Sequence, residues 1–537
     1  MEKLKDFARQ DMIQQIMLLE EIKEAREFEA IPELMALYAE PGLLDQAVDE
    51  MLYHNLFELL AGQAGAVAVA LSGGSLRVQT LAVRRAGEDG QAEVLPALTA
   101  LLQQTTDPEM TSEIVRALGG FQSGGLTGIL LPYLLHDNDA VAAWAMNSVV
   151  ALNDPAGRVA LETMVSERAE AVKASGVCDL KTAQAIGSIA RYGDEQAARS
   201  LSVHIHHETA ALRRVVTNAL AGMGEVALPA LRDCILAGDK DEKILAANII
   251  GWTGSKKGAD LLIAILDQGK ELESNLRFAI YEALGRIPSM RSFIALGDGL
   301  SEQDEMVLMA VMTGLNDQCN PGIVKVLDDF LDKNDAQAER LVKTMVTARA
   351  RNIFQEVYRS GRHRRRLIEV VRACGDAEAR EVFRVVLQGL GTPEATADLA
   401  QLREPGTVAG QNCRVVAADD SKAMLFFYKG AAADLGIDLV TAMDGKEALQ
   451  YLRTAAGIDL LITDMNMPNM DGIELTRELR RLPQWATLPI LMATTESESS
   501  QIEQAQAAGV NGFISKPFGK EELKAKIAEV FATSHAK

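Results

Sequence analysis

Acidic, hydroxyl and amino side chains stand at the ends of short β-branched runs in the last quarter of the chain. Asp419-Asp420 follow one such run, and Asp464 follows a second. Thr494 and Lys516 follow two further runs. The runs alternate with amphipathic helical stretches, which predicts a parallel sheet with helices on both faces, and ligand sites in such folds lie at the carboxyl ends of the strands. We therefore expect these side chains to converge at one edge of a sheet.

The predicted cluster suits chemistry at phosphorus. Three neighbouring carboxylates repel one another unless a cation lies among them, and Mg²⁺ is a hard cation that prefers oxygen ligands. With the metal bound, one carboxylate is free to act as a nucleophile toward phosphorus. We also expect a lysine and a hydroxyl group at the same edge.

The elements that position these groups are five strands and five helices in alternation. The predicted strands span residues 414–418, 437–441, 460–463, 490–493 and 512–514. The predicted helices span residues 422–435, 446–453, 473–481, 498–508 and 520–531. The first of these helices carries an unusual aromatic run, 426–428, which is interpreted either as core or as part of a docking face.

The segment 464–472, with the sequence DMNMPNMDG, resembles the phosphoacceptor loop of response-regulator receiver domains of the chemotaxis type. Asp419-Asp420, Thr494 and the segment 513–518 (FISKPF) complete the family's pattern in the same order. The resemblance covers residues 413–537. It implies a flavodoxin-like (βα)5 fold with a parallel five-stranded sheet.

The resemblance also implies roles for individual residues. Asp464 would accept a phosphoryl group from a phosphohistidine of a sensor histidine kinase or a phosphotransfer protein. Asp420, the Asp464 carboxylate and the backbone carbonyl of Asn466 would bind Mg²⁺. Asp419 would act through a metal-bound water.

The remaining residues of the pattern are implied to bind the phosphoryl group and to switch. Lys516 would pair with the phosphoryl oxygens, and the Thr494 hydroxyl would move inward to hydrogen-bond one of them. Phe513 would then rotate into the vacated space and reshape the surface of the fourth helix, fifth strand and fifth helix. The bond between Lys516 and Pro517 is expected to be cis, as X–Pro bonds tolerate.

The first part of the chain repeats a segment of small residues and Leu or Ile that ends in Gly or Asn. From residue 118 the marker recurs at steps of 34, 37, 31, 30, 34 and 31, at Leu118, Leu152, Ile189, Leu220, Ile250, Leu284 and Leu315. A period of this length with two helices per unit is typical of an α-solenoid. The pattern resembles short HEAT repeats, while an irregular helical domain stays possible. The predicted domains are an N-terminal helical cap (1–60), a HEAT-like all-α solenoid (61–402), a linker (403–412) and a receiver domain (413–537).

Composition excludes several classes of protein. Asp and Glu number 75 against 54 Lys and Arg, so the formal net charge is −21. Such a charge disfavours binding to nucleic acid and to anionic membranes. The five cysteines are scattered, and no apolar stretch approaches the ~20 residues of a membrane span, so we expect a cytoplasmic protein without a disulfide framework.

Together these features predict a two-component response regulator in which phosphorylation of Asp464 switches protein–protein interactions of the solenoid. We expect no enzyme activity beyond self-phosphorylation from small donors and autodephosphorylation. Two alternatives stay open: a phosphate sink or scaffold, and a receiver-regulated HEAT-like lyase. A basic island, 362–366, is interpreted as a solvated or salt-bridged helix face, or as a docking site for an acidic partner, for nucleic acid or for the acidic receiver itself.

Overall fold

The computed structural model describes residues 4, 6–121, 123–267, 272–333, 335–402, 413–494 and 499–534. By its internal contacts the chain divides into two compact units. The first consists of Met1–Glu170 and Asp179–Tyr192, and the second of Ala171–Cys178 and Gly193–Lys537. The predicted linker, 403–412, lies outside the described residues. The predicted boundaries of the cap, solenoid and receiver stay predictions.

Short antiparallel-type helix pairs with tight turns build the first part of the chain, up to residue 192. The α-helices are α1 (Met12–Ala25), α2 (Ile31–Ala39), α3 (Gln46–Leu59), α4 (Ala64–Ser72), α5 (Leu76–Asp89), α6 (Leu95–Gln104), α7 (Pro108–Leu118), α8 (Leu126–Leu130), α9 (Asp139–Leu152), α10 (Pro155–Ser175) and α11 (Leu180–Ala190). The first turn of α7 illustrates how the sequence determines the start of a helix. The Asp107 carboxylate accepts hydrogen bonds from the next free backbone N–H groups, and Pro108 occupies the first turn, where its missing N–H costs nothing.

The helices continue from residue 195 to residue 401. They are α12 (Glu195–Ser202), α13 (Ala210–Gly222), α14 (Leu228–Ala237), α15 (Lys240–Thr253), α16 (Lys256–Asp267), α17 (Ser274–Arg286), α18 (Met290–Asp298), α19 (Glu305–Asp317), α20 (Gly322–Leu331), α21 (Ala336–Thr347), α22 (Arg351–Ser360), α23 (Arg364–Ala373), α24 (Ala377–Leu390) and α25 (Pro393–Gln401). Helices α13, α15, α17, α19 and α21 each contact the next in one layer, while α12 contacts α14 and α16 contacts α18 in another. This arrangement is consistent with the predicted solenoid.

The recurring small residues have a packing role. A Cβ atom built on Gly251 of α15 would lie 2.8 Å from the Cα atom of Ala283 in α17. A Cβ atom on Gly285 of α17 would lie 3.0 Å from the Cα atom of Gly314 in α19. Neighbouring helices therefore approach backbone to backbone at the repeated positions, and only a small residue fits there.

Residues 414–494 and 499–534 form the predicted doubly wound α/β fold, so the predicted fold class is confirmed. The strands are β1 (Arg414–Ala418), β2 (Asp438–Ala442), β3 (Leu460–Asp464), β4 (Ile490–Thr494) and β5 (Gly512–Ser515). All neighbours pair in parallel, in the order β2-β1-β3-β4-β5. The helices are α26 (Lys422–Leu435), α27 (Gly445–Thr454), α28 (Gly472–Arg481), α29 (Ser499–Ala508) and α30 (Lys520–Ser534). Strand β2 lies one residue later than predicted, while β1 matches the prediction.

Apolar side chains fill both faces of the sheet because successive strand residues point to opposite sides. Val416 belongs to the cluster on one face and Val415 to the cluster on the other. Phe427 and Tyr428 are buried in the second cluster. Phe426 instead contacts the helical region, where the Cζ atom of Arg349 lies 5.4 Å from the centre of the Phe426 ring. The aromatic run of α26 is thus both core and contact with the helical region. The second cluster also includes Met306 of α19.

A membrane-crossing helix is absent from the part of the chain that the structure describes: no helix there combines the necessary length and apolar character.

Candidate functional site

The carboxyl ends of four neighbouring strands bring the predicted site residues to one edge of the sheet. Asp464 is the last residue of β3, and Thr494 is the last residue of β4. Asp419-Asp420 and Lys516 directly follow β1 and β5. Because β1, β3, β4 and β5 are adjacent and parallel, residues distant in sequence meet there.

The three carboxylates and the lysine form a compact, largely buried pocket. One carboxylate oxygen from each of Asp419, Asp420 and Asp464 lies within 4.8 Å of the others. The Lys516 Nζ atom lies 2.7 Å from Asp419 Oδ2 and 3.2 Å from Asp464 Oδ1. The side chains of Lys516 and Asp464 are 9% and 13% exposed, and that of Asp419 is fully buried. The arrangement predicted from the sequence is therefore present.

The pocket contains three carboxyl groups and one amino group, and burial acts against their charged forms. Burial raises the pKa of Asp420 to about 7, against the opposing effect of the Arg286 guanidinium. Burial also raises the pKa of Asp464 well above its ordinary value, although Lys516 opposes the shift. Burial by itself lowers the pKa of Lys516, but the carboxylates of Asp419 and Asp464 outweigh it and hold that pKa well above its usual range.

These residues fit a divalent cation. Three clustered carboxylates against one ammonium group leave a surplus of buried negative charge, which costs free energy unless it is compensated. Carboxylate oxygens are the ligands that Mg²⁺ prefers. Asp420 and Asp464 would hold the ion, and Asp419 is already engaged by Lys516 and by the backbone N–H of Ser421, which donates to Asp419 Oδ1 at 3.0 Å.

The other predicted residues are found around the pocket. Thr494 is buried, with its Oγ1 atom 4.0 Å from the Met465 sulfur. Phe513 is half-buried and packs against the first apolar cluster. The Lys516–Pro517 peptide bond is cis, as predicted. The metal-ligand role of the Asn466 carbonyl stays a prediction.

Tyr428 is a pocket residue that the sequence reasoning treated only as core or docking surface. Its ring is buried, and within the described residues its hydroxyl group has no hydrogen-bond partner. Burial raises its pKa well above the ordinary value, and the charges of Lys516, Asp419 and Asp464 also act on it. A buried tyrosine hydroxyl normally finds a partner. The signal in the sequence was a tyrosine at an apolar helix position.

Four residues of the helical region also reach the pocket, and the sequence offered no sign of them. They are Arg213 and Arg214 of α13 and Asn275 and Glu282 of α17, which we call the docking face. Three of them bond to a loop that carries a pocket carboxylate or the lysine, and Arg214 bonds to Asp471 and Glu474 at the start of α28. They precede Asp464 by well over a hundred residues, so no local pattern could associate them with it.

The basic island is paired with acids. Arg362 Nη1 lies 2.9 Å from Asp328 Oδ2, and His363 Nε2 lies 3.0 Å from the other oxygen of Asp328. Arg365 pairs with Glu369 one turn along the same helix. The island therefore has the salt-bridged character that the plainer interpretation expected.

The fold is a doubly wound α/β domain, and its pocket contains three carboxylates that could hold a metal ion. Residues 415–528 match the family model described as "Response regulator receiver domain". The chemotaxis protein CheY of Pseudomonas aeruginosa is 40% identical over 119 residues, which are 22% of this chain and 95% of that protein. CheY1 of Helicobacter pylori (strain ATCC 700392 / 26695) is 37% identical over 122 residues, which are 22% of this chain and 98% of that protein.

A solved structure of the chemotaxis response regulator CheY4 of Vibrio cholerae is 35% identical, covers 22% of this chain and 99% of that chain, and has a TM-score of 0.22. The sequence relatives are covered almost completely by the C-terminal part of the chain. Through that part, the chain belongs to the response regulator receiver family.

Proposed function

We propose that this protein is a cytoplasmic response regulator of a two-component system. Asp464 accepts a phosphoryl group from a phosphohistidine of a sensor histidine kinase or a phosphotransfer protein. The observation that supports this proposal is the meeting of Asp419, Asp420 and Asp464 within 4.8 Å, with Lys516 bound to two of them. Family membership and the position of the pocket at the strand ends agree with it.

In the proposed transfer, an Asp464 carboxylate oxygen forms a bond to phosphorus while the bond between phosphorus and the donor nitrogen breaks. Phosphoryl transfer needs positioning and charge neutralisation more than covalent assistance. Lys516 leaves its contact with Asp464 to pair with a phosphoryl oxygen, and the Thr494 hydroxyl donates to another. Asp420 and Asp464 would hold Mg²⁺, which would supply positive charge to the transferring phosphoryl group.

The proposed output is a change in the protein–protein interactions of the helical region. Stacked helix pairs offer long surfaces that suit protein ligands. No enzyme activity is proposed beyond phosphorylation of Asp464 and its reversal. Phosphorylation replaces the single charge of the Asp464 carboxylate by the charge of about −1.5 to −2 of a phosphoryl group. The added negative charge in this acidic pocket shifts the balance between two packings.

The test is phosphorylation of the full chain by acetyl phosphate in MgCl₂, followed by intact-mass and peptide mass spectrometry. We expect one phosphoryl group on wild type, located on Asp464, and none on Asp464→Asn. Asp438→Asn is the matched control, because Asp438 is an exposed aspartate at the start of β2. Phosphorylation that persists in Asp464→Asn, or none on wild type, contradicts the proposal.

A pull-down with and without acetyl phosphate tests the output. If phosphorylation of Asp464 changes the affinity for a partner, wild type and Asp464→Asn recover different amounts of it after treatment. Equal recovery by the two proteins would show that the receiver only drains phosphoryl groups.

A further inference from the structure

The loops that surround the pocket carboxylates are bonded to the docking face. In the loop between β1 and α26, the Ser421 hydroxyl lies 2.5 Å from Glu282 Oε1. In the loop between β5 and α30, the backbone carbonyl of Lys516 accepts a hydrogen bond of 2.6 Å from Asn275 Nδ2. Both loops carry a charged pocket residue, so α17 contacts the pocket rim on two sides.

The third loop, between β3 and α28, is bonded to α13. Arg213 Nη2 donates to Asn466 Oδ1 at 2.7 Å, two residues beyond the phosphoacceptor. Arg214 Nη1 lies 2.8 Å from Glu474 Oε2 and 3.4 Å from Asp471 Oδ2. A cavity of about 150 Å³ beside these contacts is lined by Trp252 of α15 and the segment 466–468.

This contact has the character of a built interface. Arg213 and Asn275 are only 2% and 6% exposed, and each has a hydrogen-bond partner in the receiver domain. Buried polar groups require such partners, so the bonds specify one arrangement of the two parts. Phe278 and Met306 of the helical region pack with the apolar cluster of the receiver and extend the interface.

In the docked structure little of the Asp464 side chain is open to an incoming phosphoryl donor. A donor imidazole must approach phosphorus in line with an Asp464 oxygen, and Asp464 is 13% exposed in the docked structure. Mg²⁺ usually keeps several of its waters, which also need space beside the carboxylates. The three loops that frame this space are those that the docking face contacts.

Two charged residues of α17 also act on the pocket. Arg286, beside the docking face, brings positive charge toward Asp420, which is the sign that a metal ion would supply. Glu282 brings a further carboxylate to the rim, where it would face the added negative charge of a phosphoryl group. The repulsion between Glu282 and an added phosphoryl group therefore opposes docking onto a phosphorylated pocket.

We propose that the docking face gates the phosphoacceptor pocket, so that docking of the helical region and loading of the pocket with Mg²⁺ and a phosphoryl group exclude each other. The inference rests on the function proposed above. Coupling between two binding events is reciprocal, so the factor by which docking weakens loading equals the factor by which loading weakens docking. Phosphorylation then frees α13 and α17 as a surface for a partner.

A reversible covalent lock tests the gate. A Cβ atom built on Gly430 of α26 would lie 2.8 Å from Thr347 Cγ2 at the end of α21. In a cysteine at position 347 the sulfur takes the place of a γ atom, and a distance of this size between the Cβ atom of one cysteine and the sulfur of the other is close to that in a disulfide. The double variant Thr347→Cys/Gly430→Cys, made in the full chain, is oxidised to lock the docked state. Dithiothreitol then releases the same molecules, which serve as their own control.

Phosphorylation by acetyl phosphate in MgCl₂ is followed by mass spectrometry in both states. We expect the oxidised form to react at least about tenfold more slowly than the reduced form, in the usual range of coupling between sites. The single variants, treated identically, should react equally with and without dithiothreitol. Equal rates for the locked and released double variant overturn the gate and leave the proposed function intact. No reaction in wild type overturns the proposed function itself.

A second measurement does not depend on the disulfide. In a Trp144→Phe/Trp485→Phe variant, Trp252 is the single tryptophan of the chain. Trp252 is 39% exposed and lines the cavity beside the segment 466–468, so undocking exposes more of its ring to water. Beryllofluoride with MgCl₂ should therefore shift its emission to longer wavelength, and the same addition to Asp464→Asn in that background should not. An emission unchanged on loading overturns the gate.

Discussion

Replacing Asn275 by alanine removes one buried hydrogen bond that exists only while the receiver is docked. In the docked structure, Asn275 Nδ2 donates to the carbonyl of Lys516 at 2.6 Å, and Asn275 is 6% exposed. When the two parts separate, water satisfies both groups. The substitution therefore penalises the docked state and leaves the undocked state nearly unchanged.

The size of the effect follows from the burial of this bond. Leaving a buried carbonyl without its donor costs about 1–3 kcal/mol. Because each 1.4 kcal/mol is a factor of ten, the docking equilibrium should weaken by roughly 5- to 150-fold. A ligand that binds only the undocked state has an apparent affinity proportional to the fraction of that state. Asn275→Ala should thus lower the apparent dissociation constant for beryllofluoride by a factor of this order.

The assay is a titration of the full chain with beryllofluoride at fixed MgCl₂, followed by tryptophan emission. Asn352→Ala is a matched control, since Asn352 Nδ2 donates to a backbone carbonyl, that of Asn316, at 3.0 Å wholly within the helical region. We expect that control to bind as wild type does. An Asn275→Ala protein that is folded by circular dichroism yet binds beryllofluoride no more tightly than the control would refute the reasoning.

Three further predictions concern the pocket and the helix packing. Tyr428→Phe removes a buried hydroxyl group that lacks a hydrogen-bond partner within the described residues, so we expect equal or higher stability in denaturant. Because the hydroxyl group interacts electrostatically with Lys516, we also expect a changed lifetime of the phosphorylated state. In EDTA, the free energy of unfolding should fall as pH rises from 3.8 to about 7, because folded Asp420 retains a proton that the unfolded chain releases over that range. Addition of Mg²⁺ should remove much of this loss. Gly251→Ala should cost about 1–3 kcal/mol in chemical denaturation, because its new methyl group meets the backbone of α17.

Each of these predictions has a control in the same chain. Phosphorylated Tyr428→Phe with the wild-type decay rate would show that the hydroxyl is only structural. Asp420→Asn should flatten the pH dependence in EDTA, and an unchanged slope would assign it to other groups. Gly222→Ala should be neutral or stabilising, because nothing lies within 4 Å of the added methyl group and alanine favours a helix. Similar losses for Gly251→Ala and Gly222→Ala would contradict the packing argument.

The sequence was sufficient for the receiver fold and its pocket. Short apolar runs between amphipathic helices determine a parallel sheet, and the carboxyl ends of such strands meet at one edge. Asp464 and Lys516 could therefore be placed together from their positions after β3 and β5, and their contact at 3.2 Å follows. The period of small residues in the helical region was also visible, because close helix packing at Gly251 and Gly285 requires it.

The tertiary structure alone decided which segments contact the loops around the pocket. The expected output surface lay on the fourth helix, fifth strand and fifth helix, whereas the docking face contacts α28 and the loops that carry the pocket residues. The periodicity of apolar residues in the sequence indicates which side of a helix is apolar. It does not indicate which distant segment of the chain packs against that side. Arg213 and Asn275 look like ordinary polar helix residues in the sequence, and only the approach of chain segments more than two hundred residues apart makes them partners of the pocket.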